Sequence, residues 1–349
     1  MTVEIAGRAI GVDHPPFVIA EMSGNHNQSL ERAFAIVDAA ANSGAHAIKL
    51  QTYTADTMTL NMRGGAFEIS DPNSLWTGKN LHDLYSLAYT PWDWHAPIIK
   101  RANELGLICF SSPFDESAVD FLDALDVPAF KIASFENNYL PLIAKAASTG
   151  KPLIISTGLA SLGELDDAVR VARDAGCQQL ILLKCTSTYP ATPQNTNIRS
   201  IPHLRELFGV EVGLSDHTMG VGVAVASVAL GASVIEKHFT LSRSHGGVDS
   251  AFSLEPHEFR SLVLESDRAW SSLGQVRYGP TQAEQDSLAF RRSIYVIRDI
   301  AEGDTFTEEN LRILRPGDGA PPSFLSHILG TVARRAYLRG TPLSIDQIF

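Results

Sequence analysis

Eight short apolar runs recur in the first 240 residues, and each ends on polar side chains able to do chemistry. Residues 17–20 lead to Glu21, 47–48 to Lys49 and Gln51, and 107–110 to Ser111 and Ser112. Residues 129–130 lead to Lys131, Ser134 and Glu136, and 153–155 to Ser156 and Thr157. Residues 180–183 run into Lys184, Thr186 and Ser187, 212–214 into Ser215, Asp216 and His217, and 234–235 into Glu236, Lys237 and His238. Unbroken apolar runs suit parallel strands buried on both faces, and eight in succession predict an α/β (β/α)8 TIM barrel with its chemistry at the C-terminal rim. An open doubly wound sheet also places function at strand ends, but it rarely needs eight parallel strands in a row.

Stretches of helical period lie between most of the runs. Leu162, Leu165, Ala168, Val169 and Ala172 mark one face behind a capping box of Ser161 and Glu164. Leu30, Ala33, Phe34, Val37 and Ala40 mark another, closed by Ser43 and Gly44, and Pro256 opens a last helix reaching about Leu273. The gap from Gln51 to Leu107 is about twice the others. Its first part, 52–89, is rich in Asn, Gly, Asp and Ser and carries Trp76 and Tyr85, which predicts a lid or binding loop. Beyond Trp270 the pattern changes. We expect the barrel to occupy 1–280, with a linker and a small appended domain over 281–349. In that tail 293–297 reads as a strand, 301–304 as a turn and 307–311 as a brief helix start. Residues 311–314 and the stretch around Val332 and Tyr337 read as further strands. A module of this size predicts packing against something else.

The 349 residues suffice for one barrel and a small domain, and 44% hydrophobic with 19% charged residues is ordinary for a globular chain. A net charge of −11 argues against nucleic acid or an anionic membrane as partner. No run is long enough to span a bilayer, and the first residues lack the pattern of a signal peptide. Cys109, Cys177 and Cys185 are an odd, scattered trio, best read as reduced structural thiols, so a cytoplasmic location is expected.

His217 and His238 end consecutive strands about 4.8 Å apart, and Glu21 adjoins them once the barrel closes. Two histidines and a carboxylate around one position suit Mn²⁺, Fe²⁺, Co²⁺ or Zn²⁺. Lys49, Lys131 and Lys184, with Ser134, Ser156, Thr186 and Ser187, have the chemistry to hold a phosphate or carboxylate. Three ammonium groups together favour a multiply charged small substrate. Glu236 and Lys237 are read as alternating with His238 and facing away from the centre. A Schiff-base lysine, Lys131 or Lys184, is an alternative chemistry, though it has no need of two histidines.

The strings AEMSGNHN at 20–27, IKLQ at 48–51, KIAS at 131–134 and ISTG at 155–158 resemble the sialic acid synthase family. So do CTSTYP at 185–190, LSDH at 214–217, EKHFT at 236–240, GGVDSAFSLEP at 246–256 and LRPG at 314–317. The match spans nearly the whole chain in order. YTAD at 53–56, YTPW at 89–92, FSSPFD at 110–115 and SAFS at 250–253 are similar to the pseudaminic acid synthase branch. Val248 departs from the family, which usually has Pro there.

The resemblance implies a metal-dependent condensation of phosphoenolpyruvate with an open-chain amino sugar, giving a nine-carbon 2-keto acid and phosphate. On this reading the sugar is 2,4-diacetamido-2,4,6-trideoxy-L-altrose, with N-acetylneuraminic or legionaminic acid precursors as alternatives. It implies that His217 and His238 hold Mn²⁺, Mg²⁺ or Co²⁺ and that Glu21 and Glu136 handle water and protons. Lys49, Ser112, Lys131, Ser134, Ser156 and Ser187 would hold phosphoenolpyruvate, and Gln51, Tyr189 and Asp249 would lie near the sugar. The tail resembles the antifreeze-like (SAF) domain of these synthases, which implies a domain-swapped homodimer bringing Arg315 to the partner's sugar. Phe252 or Trp76 is the expected apolar contact for a 6-deoxy carbon. A sugar- or anion-binding barrel without catalysis is the competing class, and it would be expected to lack Glu21, His217 or His238.

Overall fold

Each of the eight apolar runs forms one strand of a closed parallel barrel among the residues that the computed structural model describes, 2–72 and 74–348, the side chains of 347 and 348 excepted. A hairpin precedes it, β1 (Val3–Ile5) with β2 (Arg8–Ile10), joined by Ala6 and Gly7 at φ 49° and 77°. Positive φ at both turn residues is the two-residue geometry that matches strand twist. The barrel strands are β3 (Phe17–Glu21), β4 (Ala47–Thr52), β5 (Ile108–Pro113), β6 (Phe130–Ile132), β7 (Leu153–Ser156), β8 (Leu180–Cys185), β9 (Glu211–Ser215) and β10 (Val234–His238). They pair in chain order, and β10 returns to β3 with His238 opposite Glu21.

The interstrand helices form where the apolar periodicity places them. Helix α1 (Leu30–Asn42) starts at the Ser29 cap and buries Ala33, Ile36, Val37 and Ala40, and Gly44 at φ 82° turns the chain out of it. The 52–89 insertion is ordered, with α2 (Ala55–Met58) and α3 (Leu81–Ala88); Asn73 within it lies outside the described residues. Next come α4 (His95–Glu104), α5 (Glu116–Ala124), α6 (Leu140–Ala147) and α7 (Leu162–Asp174), the last closed by the Ser161–Glu164 capping box. Helices α8 (Ser200–Phe208), α9 (Gly222–Ala229) and α10 (Pro256–Ser272) complete the ring.

The chain divides into two compact units, Met1–Gly274 and Gln275–Phe349. In the second, β11 (Ser293–Val296) pairs antiparallel with β12 (Leu311–Leu314). Residues 307–310 form a turn, not a helix start, because Asn310 accepts from the Thr307 amide (2.8 Å) and donates to the Thr305 carbonyl (2.9 Å). Around Val332 and Tyr337 there are isolated bridges instead of strands. This unit has a small core of its own, including Ile294, Val296, Ile300, Phe306, Ile328 and Leu343. No helix among the described residues is long and apolar enough to cross a membrane.

Barrel packing leaves no room at Gly213. A Cβ there would lie 2.3 Å from the Val234 carbonyl oxygen and 2.9 Å from Leu183 Cδ2. Gly213→Ala is therefore expected to cost about 3 kcal/mol, the upper range of core overpacking, read by urea unfolding of the barrel. A loss under about 1 kcal/mol would mean that the barrel wall yields more easily than this geometry allows.

Candidate active site

A strand alternates its faces every residue, so barrel register decides which strand-end groups meet inside. Glu21, Lys49, Lys131 and Glu236 do meet. Lys49 Nζ lies 2.5 Å from Glu21 Oε2 and 3.5 Å from Glu236 Oε1, and it donates to Ser112 Oγ at 3.1 Å. Lys131 Nζ donates to the same Glu236 oxygen at 3.3 Å, and Gln51 donates to Glu21 Oε1 at 3.0 Å. All four charged residues are buried.

Glu236 therefore faces the barrel interior and not away from it. It stands two residues before His238, and a period of two puts both on one face; Lys237 between them points outward, to Asp216 at 2.8 Å. Lys184 is also turned out, donating to the Cys185 carbonyl (2.7 Å) and Thr186 Oγ1 (3.3 Å), so it does not join the other two lysines. Cys185 takes the inward position instead. Its Sγ lies 4.0 Å from His217 Nδ1 and 3.8 Å from Ser187 Oγ. All three cysteines are buried and free of disulfides.

Burial and charge set the protonation of these groups. Burial pushes Glu21 up to about 7, against the pull of Lys49. Burial also resists ionisation of Glu236, but Lys131 and Lys49 outweigh it and hold that carboxylate below its ordinary range. For Lys49 burial disfavours the ammonium, and Glu21 with Glu236 more than restores it. Lys131 is lowered by burial, with Glu236 opposing. Burial raises Glu136 to about 7 as well, against Lys131.

Further serine hydroxyls gather around Gly158, past the end of β7. Ser134 Oγ accepts from the Gly158 amide at 3.2 Å, and buried Ser156 Oγ has no hydrogen-bond partner among the described residues. A Cβ on Gly158 would lie 2.1 Å from Ser187 Oγ and 2.6 Å from Ser134 Oγ, so only glycine lets both hydroxyls converge there.

His217 and His238 stand with ring centroids 5.4 Å apart. The Thr186 carbonyl, 2.9 Å from His217 Nδ1, can only accept, so Nδ1 carries a proton. Burial disfavours the imidazolium, but Cys185 outweighs it and raises the His217 pKa, and Nε2 has a free lone pair only in the neutral form. Buried His238 Nδ1 has no hydrogen-bond partner, with Asp249 Oδ2 3.9 Å away. Burial, then His217, drives the His238 pKa well below its usual value, so this imidazole is neutral and able to ligate a cation. The pair fits a divalent ion whose other positions are filled by water or substrate oxygens. Glu21 is committed to Lys49 and Gln51, and among the described residues no group of three or more His, Cys, Asp or Glu is placed to hold a metal.

Beside these groups opens a cavity of about 670 Å³, lined by Gln51, Glu136, Ser187, Tyr189, His238 and Asp249 together with side chains of the 52–89 insertion. Trp76 lines it, its Nε1 donating to the Val248 carbonyl at 3.1 Å. Phe252 does not line it; it packs behind His238, with centroids 4.9 Å apart. Arg315 lies exposed in the second unit, just past β12.

Comparison with known proteins agrees with this fold. The NeuB family model matches residues 36–278, and the SAF domain model matches 291–348. The chain belongs to the NeuB family. This NeuB protein is 44% identical over 336 residues to the pseudaminic acid synthase of Helicobacter pylori, covering 96% of this chain and 98% of that one. It is 38% identical over 337 residues to the N,N'-diacetyllegionaminic acid synthase of Legionella pneumophila, covering 95% and 94%. Its structure is similar to the N-acetylneuraminic acid synthetase of Leptospira borgpetersenii, with a TM-score of 0.73 at 30% identity, covering 82% of this chain and 95% of that one.

Gly158→Ala separates the hydroxyl cradle of this NeuB barrel from its fold. The added methyl displaces the Ser134 and Ser187 hydroxyls, and anion affinity measured by calorimetry should fall about tenfold or more while far-UV dichroism stays unchanged. Unchanged affinity in the folded variant would remove both serines from the anion site.

Proposed function

We propose that this enzyme is a pseudaminic acid synthase. It joins phosphoenolpyruvate to open-chain 2,4-diacetamido-2,4,6-trideoxy-L-altrose and releases phosphate. The observation that carries this reading is the buried Lys49–Lys131 pair, joined through Glu236 and with Ser112 on Lys49, next to a cavity of sugar size lined by Gln51 and Glu136. The identity to the Helicobacter pylori synthase, higher than to the legionaminic one, favours the altrose acceptor. N-acetylneuraminic and legionaminic precursors remain the alternatives for the assay.

In this reading Lys49, Lys131, Ser112, Ser134, Ser156 and Ser187 hold the phosphate and carboxylate, in a site where little water competes. Carbon three of phosphoenolpyruvate attacks the sugar aldehyde, water adds at the cationic carbon two, and phosphate departs to leave the 2-keto acid. Glu136 donates a proton to the former carbonyl oxygen. Glu21, paired with Lys49, faces the developing cation and takes a proton from the water. Gln51, Tyr189 and Asp249 orient the sugar. A divalent ion, Mn²⁺, Mg²⁺ or Co²⁺, held by His217 and His238 would supply Lewis-acid polarisation of the aldehyde.

A homodimer belongs to the same proposal, with the SAF domain of one copy bringing Arg315 to the other's sugar. Phe135, Tyr139 and Leu159 are exposed in the loops after β6 and β7, with Leu162 exposed at the start of α7, and Asn137 ties the two loops together by donating to the Gly158 carbonyl at 2.8 Å. An exposed apolar patch beside a site is what a second copy would cover. The three buried free thiols suit a cytoplasmic enzyme.

Phosphate release with Mn²⁺ should occur with the altrose derivative and not with N-acetylmannosamine, and should stop in EDTA. His217→Ala should abolish turnover while the thermal midpoint moves by only a few degrees. Full activity in metal-free buffer would sink the metal assignment, and turnover of N-acetylmannosamine instead would move the enzyme to the neuraminate branch.

The pH profile gives a second check. A carboxyl at about 7 holds its proton below that pH and loses it above. With Glu136 as the acid, kcat/KM should fall about tenfold per unit above pH 7, and Glu136→Gln should flatten that limb while lowering kcat about 100-fold. An alkaline limb unchanged in Glu136→Gln would assign it to another group.

A further inference from the structure

The wall that the 52–89 insertion contributes to the cavity has a chemistry of its own. It is pinned to the barrel, not free: a Cβ on Gly24, in the turn after β3, would meet Ala88 of α3 at 3.2 Å, and Trp76 is bonded to Val248 in the loop after β10. Tyr53 packs edge-on against Tyr85 at 5.8 Å and Phe114 at 5.1 Å, which stiffens the start of the insertion. Leu84 and Ala88 are buried beneath this surface. Three side chains of the insertion, Met58, Ile69 and Leu81, are half-buried and line the cavity. None offers a strong hydrogen-bond donor or acceptor. The barrel supplies Gln51, Glu136, His238 and Asp249 to the same cavity, and the insertion adds Asp71 and Ser74 as well as its apolar side chains.

A surface divided in this way sorts ligands. The reacting, oxygen-rich end of an acceptor belongs with the barrel groups. A methyl group gains by leaving water against Met58, Ile69 and Leu81, whereas a hydroxyl there loses its water partners and finds none on those three side chains. We propose that Met58, Ile69 and Leu81 form a subsite for the terminal methyl of the acceptor, so that the insertion selects 6-deoxy amino sugars over 6-hydroxylated ones. This inference rests on the condensation proposed above. It assigns the selection to the insertion and not to Phe252, which is packed away behind His238.

The test compares kcat/KM for the 2,4-diacetamido-2,4,6-trideoxy acceptor with that for its counterpart bearing a hydroxyl on carbon six, using the full chain. The wild type should favour the deoxy sugar by about 10- to 100-fold, the range over which an apolar pocket rejects an added hydroxyl. Met58→Gln and Leu81→Asn keep side-chain size and supply hydrogen bonds, so each should narrow that ratio about fivefold or more, mainly by improving the hydroxylated sugar. KM for phosphoenolpyruvate should not change. Equal use of both sugars by the wild type, or a ratio within about twofold of wild type in both folded variants, would overturn the subsite. Turnover of neither sugar would overturn the condensation itself, and the subsite with it.

Discussion

Two lysines and two carboxylates share the barrel interior, and the remaining site geometry depends on their neutralising one another. An isolated ammonium or carboxylate at that depth would be too costly to keep ionised. Glu236 lies between Lys49 and Lys131, Glu21 takes the other side of Lys49, and Gln51 and Ser112 satisfy part of what remains. Each member is on a different strand, so the cluster also reports barrel register: a one-residue slip of any strand would turn its charge out of the barrel. Glu21 and His238 are paired in register across the β3–β10 seam, which sets the metal-fitting histidines beside the ion cluster.

That register explains how much of the site was legible in the chain. The eight runs and their polar ends are visible because strands buried on both faces leave no other pattern. Choosing the inward residue at each end needs the period of two, applied strand by strand. On β10 it places Glu236 with His238 and excludes Lys237; reading all neighbours of His238 as outward loses the carboxylate that joins the two lysines. On β8 the same rule turns Cys185 inward and Lys184 out, as their contacts with His217 and Thr186 record. The signal was present in the spacing. What spacing does not carry is which parity faces inward, and only a partner across the barrel supplies that.

Other features had weaker signals. The β1–β2 hairpin rests on three-residue strands and an Ala6-Gly7 turn, too short for a convincing alternation, yet Ile5 and Ile10 are wholly buried by it. In the tail, a Thr-Glu-Glu-Asn sequence looks like a helix start, but the Asn310 side chain satisfies the local backbone as a turn. The composition of 52–89 indicated a loop with a role. That its apolar residues would form a wall was hidden, because Met58, Ile69 and Leu81 have no common period and converge only through tertiary contacts.

The ion cluster also bears on how the site would respond to a ligand. An anion arriving between Lys49 and Lys131 competes with Glu21 and Glu236 for the same two ammonium groups. Glu21 already sits at about 7, because burial outweighs the help of Lys49. Any weakening of that help moves Glu21 further toward its protonated form, whereas Glu236, held ionised by two lysines, has more charge support to lose before it follows. In the proposed site, anion binding would thereby be tied to the proton on Glu21. The internal carboxylates offset the two lysines, and in the proposed site a bound anion would take over part of that task. A cradle built this way avoids the repulsion of two bare lysines and still presents both of them, with the serine hydroxyls, to a multiply charged guest.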